Sequence, residues 1–220
     1  MLRKLAAAFR AIFAGKAPAV QKTETPEVLG LRLGGVVELD KLKLTLIEEK
    51  LTIEDAAVTQ HIEAVGVVPL EGDTRLVRYY TDDDGFIQVL QEGEGEAGVL
   101  EVSLWYFYDS KPIDTQELWD KVIEEQIVTP DRKYDLDGTE FVQHWENEKP
   151  VCMTETTYTK SGKKSETDQF VMVYSREIAG GLTEELLIAG EEKQIGNKLD
   201  RLVARSTGVQ LKQTDFKAVA

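Results

Sequence analysis

Two clusters of carboxylates beside glycines have the residue types most suited to chemistry: Asp82, Asp83 and Asp84 before Gly85, and Asp131, Asp135 and Asp137 before Gly138. Carboxylate oxygens are the hard ligands that calcium and magnesium take, and a glycine lets a loop turn around an ion. The spacing does not fit a calcium loop. With Gly138 as the sixth position, Lys133 falls where the first acidic ligand belongs and His144 where a bidentate glutamate should be. A solvated Asp-Gly turn is the plainer reading of both clusters.

Other chemistries find less support. One cysteine and two histidines, Cys152, His61 and His144, have no paired zinc-ligand spacing. Cys152 with His144 has the types of a nucleophile and its base, but Cys152 lies between Val151 and Met153 in what reads as a strand interior, so a core cysteine is expected. No phosphate loop, dinucleotide fingerprint or serine-nucleophile elbow is present. Among 40 acidic residues no spacing selects an acid–base pair. The sequence therefore assigns no catalytic residue, no cofactor and no metal ligand.

The elements that would have to position any site centre on Gly98–Asp109. One face of this strand carries Leu100, Val102, Leu104, Tyr106 and Tyr108, and the other turns apolar at Trp105 and Phe107. A strand apolar on both faces belongs in the middle of a sheet. Downstream, Asp114 and Glu117 have capping-box spacing, Leu118/Val122 and Trp119/Ile123/Ile127 form stripes, and Pro130 stops the run, which predicts an amphipathic helix over 114–128. The runs HIEAVGVVPL, TRLVRYY and GFIQVLQ are short strands joined by turns, an antiparallel meander. After the helix, TEFVQHW, CMTETTYT and ETDQFVMVYS read as strands, with another around Arg201–Ser206. LTEELLIAGEE suits a strand or a helix, and strand is favoured because its neighbours are strands and Gly180-Gly181 and Gly190 bound it. Leu42, Leu44 and Leu46 alternate with Lys41, Lys43 and Thr45 as a half-buried strand would, and Glu48–Gln60 has no clear period. The expected class is α+β: a predominantly antiparallel sheet with the helix at 114–128 and an N-terminal amphipathic helix.

That N-terminal helix is expected over residues 1–16, with a linker over 17–28 and one β-rich domain over 29–220. A faint echo between Asp84-Gly85-Phe86-Ile87-Gln88 and Asp137-Gly138 with Phe141-Val142-Gln143 raises the alternative of two similar sheet halves, 61–110 and 134–206, joined by the helix. Charge is split between leader and body. Residues 1–25 carry a net +4 and residues 26–220 a net −18, which sum to the −14 of the whole chain. So anionic a body repels phosphate backbones, and nucleic acid is not an expected partner. In the leader, Leu2, Leu5, Phe9, Ile12 and Phe13 share a stripe, with Arg3, Lys4 and Arg10 beside it. Three readings stand open: a helix that packs on its own domain or frays, an interfacial helix on an anionic membrane, and a signal peptide, which Arg10 disfavours. A lone cysteine fits a reducing compartment.

Trp105 and Phe107 belong to an aromatic group that reads either as core or as an anchor for a protein partner. Three segments, RLVRYYTDDDGFIQVLQ at 75–91, LWYFYD with its helix, and YDLDGTEFVQHW at 134–145, resemble the YjfK-like family, bacterial proteins of unknown function. The likeness runs from about Leu29 to the C-terminus. It implies no activity, cofactor or catalytic residue. It implies gene neighbourhoods shared with phage-shock-protein-A-like membrane-stress proteins. The expected function is a cytoplasmic, non-enzymatic interaction or accessory protein, peripheral to the inner membrane, with a membrane-stress protein as partner. The alternative is a small-ligand module or enzyme whose acidic residues converge only in the fold.

Overall fold

The computed structural model describes residues 25–53, 55–178 and 180–219. The helix expected over 1–16, and with it Leu2, Arg3, Lys4, Leu5, Phe9, Arg10, Ile12 and Phe13, lies outside the described residues. Within them the first elements are β1 (Val36–Leu39), α1 (Lys41–Glu48), β2 (Thr59–Pro69), β3 (Thr74–Thr81), β4 (Gly85–Glu92) and β5 (Val99–Pro112). Then come α2 (Gln116–Lys121), a π turn (Val122–Gln126), β6 (Lys133–Leu136), β7 (Thr139–Gln143), β8 (Val151–Thr159), β9 (Lys164–Ile178), β10 (Leu182–Ile195), β11 (Lys198–Leu211) and β12 (Phe216–Val219).

Strands β2 to β5 form one four-stranded meander and β8 to β11 a second. They join last strand to last, β5 on β11, and first to first, β2 on β8, with every pairing antiparallel. The result is a closed eight-stranded barrel, and it overturns the α+β expectation. The cause lies in strands apolar on both faces. Phe86 and Trp105 pack with Leu187, Val171 and Val173 inside the barrel, while their chain neighbours Ile87 and Leu104 pack outside it. A sheet with two apolar faces buries one of them by closing on itself, which also removes its edges.

The outer faces are covered differently. Outside the first meander, Val28, Leu31, Val37, Leu39, Leu44 and Ile47 lie over Tyr79, Ile87 and Leu104. Outside the second, Val122, Ile127, Leu136 and Phe141 lie over Met172, Tyr174, Leu186 and Ile188. The helix expected over 114–128 is only six residues long, and Thr115 rather than Asp114 caps it, accepting from the Leu118 amide at 3.2 Å. A π turn then closes with Ile127 N–H donating to Val122 O at 3.1 Å. This wider turn lets Trp119, Ile123 and Ile127 all seat on Gly190, where a Cβ would come within 2.9 Å of Ile127.

Lys41–Leu46 is also corrected, from strand to helix α1. Asp40 caps it by accepting from Lys43 N–H at 3.1 Å, and the turn of the helix buries Leu44 and Ile47. Leu42 and Leu46 are consequently 70% and 63% exposed.

Candidate functional site

The barrel encloses a polar network, and it is the strongest site candidate among the described residues. Period-two alternation turns Arg78 and Tyr80 of β3, Gln88 of β4, Glu155 and Thr157 of β8, Gln169 of β9 and Glu191 of β10 inward. Arg78 is 4% exposed and Glu155 2%. Arg78 Nη1 donates to Glu155 Oε2 at 2.7 Å and to Gln169 Oε1 at 2.8 Å, and its Nε donates to Gln88 Oε1 at 2.9 Å. Glu155 Oε1 also accepts from Tyr80 OH at 2.7 Å and from Thr157 Oγ1 at 3.1 Å. The Gln169 amide donates to Glu191 Oε1 at 3.1 Å, which links the second carboxylate to the first.

Electrostatics follow from this packing. Burial lowers the Arg78 pKa, but Glu155 and Tyr80 beside it reverse the effect, so Arg78 ends above its ordinary value and stays charged. Tyr80 rises well above its usual value through burial and the adjacent Glu155. The half-buried Glu191 is pushed up to about 7, first by burial and then by Glu155. Glu155 is occupied by donors and has no room to serve a substrate, whereas Glu191 can exchange a proton near neutral pH. Trp105, Phe86 and Leu187 fill the neighbouring space.

The acidic turns do other work. Asp82 accepts from His61 N–H at 2.7 Å. Asp83 Oδ2 accepts from Ala57 N–H at 2.7 Å and from Tyr106 OH at 2.9 Å, and burial raises its pKa. Asp131 and Asp135 accept from Lys133 and Gly138 amides, and Asp137 accepts from Tyr108 OH at 2.6 Å. Among the described residues no group of three or more His, Cys, Asp and Glu is placed to hold a metal ion.

Trp105 is 2% exposed and stacks on Phe86 inside the barrel, so it meets no partner unless the barrel opens; Phe107 is half-buried beside Tyr80. Cys152 is exposed rather than in the core, because β8 turns Val151 and Met153 inward and Cys152 outward. His144 is exposed, with Nδ1 3.4 Å from Ser175 Oγ. The sequence reading missed Arg78, Glu155, Gln169 and Glu191. Their signal was available as single polar residues on the inward face of apolar strands.

A family model described as a protein of unknown function (DUF2491) matches residues 9–217. The chain belongs to this family. The match begins upstream of Leu29 and takes in part of the cationic leader. The chain is similar to the uncharacterized protein YjfK of Escherichia coli (strain K12), with 27% identity over 203 residues that cover 87% of this chain and 90% of that one. No solved structure matches it.

Proposed function

We propose that this family member is a non-enzymatic interaction protein that attaches reversibly to an anionic membrane surface through its leader and offers the acidic barrel to a protein partner. The charge split carries the reading: net +4 over residues 1–25 against −18 over the rest. Basic groups near an anionic leaflet contribute about 1 kcal/mol each, and the stripe of Leu2, Leu5, Phe9, Ile12 and Phe13 adds apolar burial. Attraction of the leader then opposes repulsion of the body, which makes the attachment reversible and sensitive to salt. No helix among the described residues is long and apolar enough to cross a membrane. A membrane-stress protein of the phage-shock-protein-A-like kind is the partner class proposed, as the family resemblance implies.

The competing reading, a ligand module or enzyme, draws on the convergence of Glu155 and Glu191 within the barrel. Against it, Glu155 already accepts from Arg78, Tyr80 and Thr157, and large side chains occupy the interior. Flotation with phosphatidylglycerol vesicles tests the membrane part. The full chain should float at low salt, and a chain lacking residues 1–16 should stay in the bottom fraction. Equal flotation of both forms removes the leader from the proposal.

A further inference from the structure

The eight ladders of the barrel are unequal. The β2·β8 ladder holds four residue pairs, Ala64–Val67 against Thr156–Thr159, while β5·β11 on the far side holds ten. The four-pair ladder is the shortest of the eight. At its Ala64–Thr159 end the ladder is limited because β2 turns to pair with β1 at Thr59–His61.

The short seam is reinforced from inside. Arg78 and Tyr80 of β3 reach across β2 to Glu155 of β8, over the position where Gly66 has no side chain. Arg78 also reaches Gln169 on β9. Outside, the seam has the Lys160–Glu63 pair at 2.7 Å, whose side chains are 40% and 51% exposed and screened by water. The inner ties therefore carry the closure.

Those ties are short of positive charge. The groups facing Glu191 are Glu155 from β8, Arg78 and Tyr80 from β3, and Lys193 from its own strand, with Gln169 of β9 donating between the carboxylates. Arg78 is the one buried cation among them, and Glu155 already engages it. An ionised Glu191 leaves the interior with one carboxylate in excess. We propose that the barrel parts along β2·β8, and that the ties from Arg78 and Tyr80 to Glu155 are a latch weakened when Glu191 ionises.

The sign follows from linkage. A carboxyl pushed up to about 7 in the closed barrel, and ordinary once the seam opens, holds its proton more firmly in the closed form. Closure is therefore favoured below neutral pH and loosened as pH rises through about 7. Opening bares the stacked rings of Tyr80 with Phe107 and of Phe86 with Trp105, an aromatic face otherwise turned inward.

Amide hydrogen exchange on the full chain, corrected for the intrinsic pH dependence of exchange, tests the latch. Amides of 64–67 and 156–159 should exchange before those of 102–109 on β5. Their protection should fall about ten-fold between roughly pH 6 and roughly pH 8, as expected for a pKa near 7 that relaxes to an ordinary glutamate value. Glu191→Gln should remove the pH dependence and keep the order of exchange, while Glu155→Gln should speed seam exchange at both values. Seam amides as protected as those of β5, or a pH dependence that persists in Glu191→Gln, would overturn the proposal.

Discussion

Glu155 fills the space that Gly66 leaves empty: a Cβ on Gly66 would lie 2.1 Å from Glu155 Oε1 and 3.1 Å from the Tyr80 ring. A glycine in the middle of a strand weakens it unless something needs the room, and here a buried carboxylate does. The two residues face each other across the seam that closes the barrel.

Gly66→Ala should therefore cost about 1–3 kcal/mol, the usual range for overpacking a filled interior. Urea denaturation measures it. Made in a Glu155→Ala background, the same substitution should cost much less, because the obstructing carboxylate is gone. An undiminished cost there would mean that Glu155 is not what Gly66 accommodates.

Arg78 and Glu155 invite a second measurement. Arg78→Met strands a carboxylate that is 2% exposed, and removing one partner of a buried pair costs about 3–5 kcal/mol. The double variant Arg78→Met with Glu155→Leu replaces both charges with apolar groups and should recover most of that loss. If the double variant is as unstable as the two single losses added together, the pair is not coupled as its 2.7 Å contact indicates.

The hairpins were legible because they are local. Period-two strands flank turn residues that suit them, as at Asp137-Gly138, where φ values of 50° and 92° make the two-residue turn between Leu136 and Thr139. Closure was not legible, since Arg78 and Glu155 lie 77 residues apart and nothing local marks the β2·β8 pairing. The polar network was hidden by an assumption valid for open sheets, that a charge within a strand marks its wet face. Arg78 in TRLVRYYT and Glu155 in VCMTETTYT point into the barrel. The alternating leucines of Lys41–Leu46 misled in the opposite way: Asp40 starts a helix there, and two of the three leucines are left in solvent.

Two carboxylates should shape the pH dependence of stability in opposite directions. Glu185 is half-buried, and burial first, then Glu101, push its pKa up to about 7. The folded protein keeps a proton that an unfolded glutamate, titrating near 4.5, gives up, so stability falls as pH rises from that value to about 7. Glu185→Gln should consequently stabilise by about 1–2 kcal/mol in mildly alkaline buffer, after allowance for its partial exposure, and change little in acid. Asp215 behaves in reverse. Burial raises its pKa, but hydrogen bonds from Lys43 Nζ and the Lys212 amide outweigh that and hold it below the usual aspartate value of 3.8. Its contribution is complete above the unfolded value and is lost as pH falls through the folded one, so Asp215→Asn should destabilise at neutral pH and matter progressively less in acid. Chemical denaturation across the pH range should show both variants converging on the parent in acid and departing from it towards neutral and alkaline pH, Glu185→Gln upwards in stability and Asp215→Asn downwards. If both variants depart with the same sign, the environment assigned to one of these carboxylates is wrong.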